Sequence, residues 1–449
     1  MMRLGTFAAA AAGAAMLALA ACGQPRDWWG DEESLPIGQA YIIDDAYENA
    51  RQPEAADGEG SDIMASASAH AAQDGRALRV GVLLPLSGRL AAIGQAFRNA
   101  MLLASADMDT SSLTLQFYDT AGDASAARAA AATAMRERAE LLVGPLLAEE
   151  TRAVSRETDG AVPVVAFTSD ALALGGRTTT LAWLIPEQVE RVVAHACANG
   201  ARRLAVMGRD GAIGRVALKA ARHAMAACGG TVTVAKLYAD AGPSLMPAVR
   251  EALGRRAAVM DRNKQLAKEK KAASGNPAAV PLPFDAVLMA DEGSGLRALA
   301  SALAYYDLDA AKFKILSTQA VAGLADPVLS GVLYAGAAGD GAAKFALKYQ
   351  EAFGAAPPPL AAQAYDAVAL AAAVADGRAG LYDAGGFAGV EGSFRFTRAG
   401  FPQRLAAILR VQAGKPPRVA EPAPESFDAA EPDYTYLYDS AADIPEQLR

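Results

Sequence analysis

Cysteine and histidine are scarce in this 449-residue sequence, three of each, at Cys22, Cys197, Cys228, His70, His195 and His223. Their spacing makes no ligand set, which excludes zinc and haem-type centres, so neither a metal site nor a cofactor is expected. Basic charge is in deficit. The 42 Lys and Arg against 50 Asp and Glu give a formal net charge of −8, the wrong sign for nucleic acid as a general partner. Glycine and proline, 41 and 23 residues, are too few for collagen or a Pro-rich linker protein. Catalytic signatures are missing as well. Gly208, Gly211 and Gly214 do not form GxGxxG, and GDGAAK at 339–344 lacks the phosphate-loop pattern. Gly293-Ser294-Gly295 follows Glu292 and is no nucleophile elbow. No catalytic residue is assigned, and the chain is expected not to be an enzyme.

What is present is an apolar fraction of 52%, which excludes a wholly disordered chain and suffices for two or three globular units. Residues 1–21 read as an export signal: Arg3, then a run of apolar and small residues from Leu4 to Ala21, the one stretch of that length in the chain. Leu19-Ala20-Ala21-Cys22 resembles the lipobox of bacterial lipoproteins, which implies acylation of Cys22 and a membrane partner. A plain cleaved signal peptide is the alternative. Gly23 stands where enterobacterial lipoproteins held in the inner membrane carry Asp, so the implied address is the periplasm, on the inner leaflet of the outer membrane. Residues 22–76 lack periodicity and read as a flexible tether with an r.m.s. span of roughly 40 Å.

From residue 77 short apolar runs alternate with Ala-rich helical stretches. Strands are expected at 78–86, 113–119, 141–145, 162–167, 203–208, 231–238, 284–290, 313–318 and 331–336, with helices such as 92–108, 123–138, 187–199 and 214–228 between them. This pattern belongs to the α/β class, with parallel sheets covered on both faces. So many strands divide more simply into two lobes than into one sheet. The last segment, 417–449, is acidic and Pro-rich, with tyrosines at 434, 436 and 438, and reads as a tail, packed or loose.

RVGVLLPLSGRLAAIGQAFRNAMLLA, FYDTAGDASAARAAA, LLVGPLLAEETRAVS and VPVVAFTSDALALGG follow in the order and spacing of type I periplasmic binding proteins of the leucine/isoleucine/valine-binding kind. YQEAFGAAPPPLAAQAYDAVALAAA and GFAGVEGSFRFTRAGFPQRLAAILRVQAGK resemble that family's later segments. The resemblance implies two doubly wound parallel-sheet lobes joined by three crossovers, near 183–186, 317–332 and 388–392. Residues 77–184 plus 319–388 would form lobe 1, and 185–318 plus 389–416 lobe 2. It also implies a cleft where strand ends and helix N-termini of both lobes meet a small-molecule ligand. Ser87, Gly88, Thr168 and Ser169 would face that cleft from lobe 1, and Arg209, Asp210, Asp291 and Glu292 from lobe 2. Asp291 would receive an ammonium group. Plain helix-capping is the competing role for Ser87, Thr168 and Ser169.

LLPLSGRLAAIGQA behind a lipobox and tether is most similar to the lipoprotein activators of penicillin-binding proteins. So is PFDAVLMADEGSGLRALASALAYYDLDAAKFKILSTQ behind a basic segment. That likeness implies a regulator docked on a peptidoglycan synthase. The alternative is a receptor for an amino acid or related solute feeding an ABC transporter. One departure is that no helical repeat precedes the α/β part. Cys197 and Cys228 end two expected helices and are candidates for a disulfide in an oxidising compartment, the alternative being two buried thiols. The run from Arg255 to Lys271, seven Lys/Arg and two acids, is a solvated helix or a docking element for an acidic partner or anionic glycan.

Overall fold

The computed structural model describes residues 77–321, 326–358, 360–428 and 430–438. The expected signal peptide, Cys22 and the tether lie outside the described residues, as does 439–449.

The first sheet is built from β1 (Leu78–Leu84), β2 (Leu113–Asp119), β3 (Leu141–Val143), β4 (Val164–Ala166) and β5 (Thr178–Thr180). Its order is β2-β1-β3-β4-β5, and every pairing is parallel. β1 reads LRVGVLL and is buried continuously from Val80, as a strand between two helical layers must be. The helices are α1 (Ala91–Asp107), α2 (Ala124–Arg136) and α3 (Ala148–Thr158). Asp123 caps α2 by accepting the Ala126 amide at 2.9 Å. The small side chains of Ala127, Ala130, Ala131 and Ala134 let α2 lie close on Leu83 and Leu142.

The chain crosses at 181–185 into α4 (Ile185–Ala198), where Pro186 suits the first turn. There follow β6 (Arg203–Arg209), α5 (Ala212–Ala227), β7 (Thr231–Tyr238), α6 (Leu245–Leu253), α7 (Arg255–Lys268), β8 (Ala286–Ala290), α8 (Gly293–Tyr305), β9 (Lys314–Ser317) and β10 (Leu333–Gly336). It then returns through α9 (Gly341–Phe353) and α10 (Ala361–Ala375), which join the first lobe's core beside Phe97 and Met101. A small antiparallel sheet follows, β11 (Phe387–Gly389), β12 (Gly392–Phe396) and β13 (Pro402–Arg404). The last strands, β14 (Ala407–Gln412) and β15 (Lys415–Glu421), complete the second sheet in the order β15-β14-β10-β9-β8-β6-β7.

Three boundaries differ from expectation. β10 pairs with β9 and β14, so the second crossing follows it at 337–341, and 319–336 belongs to the second lobe. The small sheet buries Phe394 and Phe396 in the first lobe's core, which moves the third crossing from 389 to 404–407. The expected tail begins inside β15, antiparallel to β14. No helix among the described residues is long and apolar enough to cross a membrane.

Each lobe places the helix that follows its first strand close over the loop between them by means of a glycine. A Cβ at Gly94 would overlap the Pro85 carbonyl oxygen, and one at Gly214 the Arg209 carbonyl oxygen. α4 and α5 pack on the same face of the second sheet, and Cys197 and Cys228 are bonded between them, with Cα atoms 6.4 Å apart.

Candidate functional site

The loop after β1 is held by one carboxylate. Asp119, at the end of β2, accepts the amides of Leu86 (2.8 Å), Ser87 (3.1 Å) and Ala121 (2.8 Å). Burial opposes its charge, but the Ser87 hydroxyl and these amides outweigh burial and hold its pKa below the usual range. Ser87 and Gly88 are exposed, and Gly88 turns with φ +74° above the Ala121 carbonyl.

After β4 the polar groups are also used within the protein. Thr168 is fully buried; its hydroxyl accepts the Asp170 amide at 3.2 Å and its carbonyl accepts the Thr180 hydroxyl at 2.7 Å. Asp170 caps a short turn through the Leu172 amide at 2.9 Å and pairs with Arg152 of α3. Ser169 borders a cavity of about 20 Å³ with Pro186, Ala212, Val216 and Leu437, room for about one water.

In the second lobe Arg209, Asp291 and Glu292 come together at the ends of β6 and β8. Asp291 is 2% exposed. It accepts the Tyr238 hydroxyl at 2.5 Å and the Glu292 amide at 2.8 Å, and lies 3.5 Å from the Arg209 guanidinium. Burial first, then the charge of Asp291, pushes the Tyr238 hydroxyl well above its ordinary pKa. Burial raises Glu292, with Arg209 opposing. The expected ammonium acceptor is therefore already satisfied by its own lobe. Asp210 turns outward to Arg215 at 2.9 Å, while the Arg209 side chain stays 46% exposed.

Two features had no signal in sequence spacing. One is a buried ionic cluster at the crossings. The Arg404 guanidinium, on a residue 7% exposed, lies 4.8 Å from the Trp183 ring and 5.2 Å from that of Phe394, and donates to the Leu181 carbonyl. The Arg404 amide donates to Glu187 at 2.6 Å, Trp183 Nε1 donates to Glu391 at 3.2 Å, and the Val390 amide donates to Asp366 at 2.8 Å. Burial pushes the carboxyls of Glu187 and Asp366 up to about 7 and raises Glu391, with Arg404 opposing in all three. One cation thus faces three acids, Asp366 buried and Glu187 and Glu391 partly buried.

The other feature is the C-terminal segment. Tyr434 is 2% exposed and packs edge-on against Phe401, ring centres 4.9 Å apart, in a cluster with Ala171, Leu174 and Leu184 of the first lobe and crossing. Two residues on, Tyr436 stacks on His223 of α5 at 4.2 Å and donates to Glu190 of α4 at 2.5 Å. Lys219 of α5 donates to the Leu437 carbonyl at 2.7 Å. Residues 434–437 therefore strap one lobe to the other.

Residues 77–416 match the profile of the family described as "Periplasmic binding protein". A protein assigned to a branched-chain amino acid ABC transporter of Rhodospirillum rubrum is 21% identical with a TM-score of 0.61, over 76% of this chain and 99% of its own. A Rhodopseudomonas palustris solute binding protein in complex with benzoate is 17% identical with a TM-score of 0.52, over 79% of this chain and 98% of its own. Full-length LpoA from Haemophilus influenzae is 16% identical with a TM-score of 0.54, over 77% of this chain and 59% of its own. No curated protein matches the chain.

Proposed function

The chain belongs to the periplasmic binding protein family, and from that premise we propose that it works as a docking body: a lipid-anchored activator of a peptidoglycan-synthesising penicillin-binding protein. The family implies an extracytoplasmic location. Acylation of Cys22, outer-membrane residence and the absence of any reaction of its own are parts of the proposal.

The observation that carries it is the strap. A solute receptor works by opening and closing two lobes around its ligand. Here Tyr434 is buried against the first lobe, while Tyr436 and Leu437 are bonded to the second. Opening the lobes therefore means extracting buried aromatic surface. The satisfied state of Asp291 and Thr168 points the same way, because a receptor keeps such groups for its ligand. A rigid two-lobed body on a long tether suits contact with a membrane-bound enzyme. The half-exposed Arg209 favours the second reading, a receptor for a carboxylate-bearing solute.

The test pairs two measurements on the purified protein: binding to the bifunctional penicillin-binding protein of the same organism, and thermal shift with leucine and with benzoate. The proposal expects saturable binding to the synthase and no shift with either solute. A shift of several degrees with one solute, and no synthase binding, would refute it.

A further inference from the structure

We propose that a cavity in the second lobe, below the last turn of α4, binds a phosphate-type oxyanion, and that Lys314 and Arg410 are its cationic ligands. The strand register builds it. Leu333 of β10 pairs with Leu316 of β9 on one side and with Arg410 of β14 on the other. Alternate residues of a strand share a face, so Lys314, Leu316, Leu333 and Arg410 all stand on the face that α4 covers. α4 ends at Ala198, and beside Ala196 and Asn199 a cavity of about 130 Å³ is left, walled by Leu316 and Leu333 and bordered by both cations. That is room for several waters or one small ion. The cavity lies at the start of β9, the end of the parallel strands opposite to the one that carries Arg209 and Asp291.

The positive charge around it is unmatched. No residue lining the cavity is acidic, and among the described residues neither Lys314 nor Arg410 has a carboxylate partner. Lys314 donates instead to the Asn199 carbonyl, and Arg410 to the Gly331 carbonyl at 3.2 Å. Three carboxylates of the adjoining elements are committed elsewhere. Glu421 bonds Arg191 at 2.6 Å and His195 Nδ1 at 2.5 Å, Asp285 pairs with Arg203 at 2.7 Å, and Asp309 pairs with Lys312 at 3.1 Å. Nor are the two cations needed to finish α4. The carbonyls of His195, Ala196 and Cys197 accept the amides of Asn199, Ala201 and Gly200, and Arg202 donates to the Cys197 carbonyl at 2.7 Å.

The spacing fits one small ion. β10 separates β9 from β14, so their axes lie about 10 Å apart, a gap that two long side chains close around a shared ligand. Lysine supplies a point charge and arginine a planar fork that takes two oxygens at once. Two like charges at one cavity repel, and an ion with two negative charges offsets both where a monocarboxylate offsets one. The ligand chemistry is therefore a phosphate dianion, free or as the monoester headgroup of a lipid.

The test uses the chain from residue 22 with Cys22→Ser, together with Arg410→Gln and Lys314→Gln/Arg410→Gln. Melting is followed against inorganic phosphate at constant ionic strength, with acetate as the monoanion control, and co-sedimentation is measured with phosphatidic acid/phosphatidylcholine vesicles. Phosphate should raise the wild-type melting temperature saturably by several degrees. Arg410→Gln, at an exposed strand end, should weaken the apparent affinity about tenfold, and the double variant should lose the shift. Without phosphate both variants should melt within about two degrees of wild type, because the cations they remove pair with no carboxylate. Vesicle binding that the double variant loses, with no shift from free phosphate, also supports the site and makes the headgroup its ligand. Neither response in wild type overturns the proposal, as does a phosphate shift that survives in the double variant or one that acetate reproduces in full. None of these outcomes bears on binding to the synthase.

Discussion

Replacing Tyr434 by alanine isolates the strap. The side chain is buried between the 171–174 turn, Leu184 and Phe401, so its removal leaves a cavity that this part of the fold has no ready way to refill. Truncation of a buried aromatic costs about 3–5 kcal/mol, of which the Phe401 edge contact accounts for about 0.5–1.5 kcal/mol. At about 2–4 °C per kcal/mol, melting should fall by roughly 10 °C. A larger consequence concerns motion. Tyr436 and Leu437 lose the anchor that ties them to the first lobe, and the lobes are left joined by three crossings alone. Spin labels at Leu102 on α1 and Arg222 on α5, both exposed, should give one narrow distance in the intact chain and a broad distribution in Tyr434→Ala. Tyr436→Phe keeps the His223 stack and loses only the bond to Glu190, so it should cost about 1–3 kcal/mol and leave the distribution narrow. If Tyr434→Ala melts within a degree of wild type and its distance distribution is unchanged, the strap holds nothing and the reasoning fails.

Stability should fall as pH rises from 5 to 8. Burial raises the folded pKa of Glu187, Asp366 and Glu190 to about 7, so between about 4.3 and 7 the folded chain keeps protons that the unfolded chain has released. Their contribution is complete below about pH 4 and is lost as pH passes 7, worth about 3 kcal/mol for Glu187; Glu187→Gln should flatten a melting profile measured from pH 5 to 8, and a wild-type melting point that climbs over that range would contradict the assignment. Asp291→Ala strands the buried Tyr238 hydroxyl, while the half-exposed Arg209 stays solvated, so urea unfolding should show a loss of about 1–3 kcal/mol whether or not any solute is present. Gly94→Ala should lower the melting temperature by several degrees, because its methyl meets the Pro85 carbonyl rather than a movable side chain. Cys197→Ala/Cys228→Ala opens a loop with sequence separation 31 and should cost about 3–4 kcal/mol, read as the difference between oxidised and reduced wild type.

Much of the fold is legible in the sequence because a strand buried on both faces must be a short, continuous apolar run. LRVGVLL, LAVMG and AVLMA read that way, and they are β1, part of β6 and β8. Which sheet a strand joins is not written in its own residues. GVLYAG reads equally well on either side of a crossing, and β10 is assigned only by its partners β9 and β14. The candidate site was legible as positions and not as chemistry. Asp291 does stand at the end of β8, but Tyr238, which occupies it, is 53 residues away. The hinge cluster is further out of reach, since Arg404 meets Glu187 across 217 residues. Tyr434 and Tyr436 stood out as aromatics in an acidic segment, yet whether they pack depends on Phe401, His223 and Glu190, which no local pattern ties to them.

The most direct measurement is the rate at which the purified bifunctional penicillin-binding protein polymerises and cross-links lipid-linked peptidoglycan precursor, with and without this protein at saturating concentration. The account predicts a several-fold increase that persists in the absence of any added small molecule and that is lost when Tyr434→Ala loosens the lobes. An unchanged rate, or a stimulation that appears only when an amino acid is supplied, would contradict it.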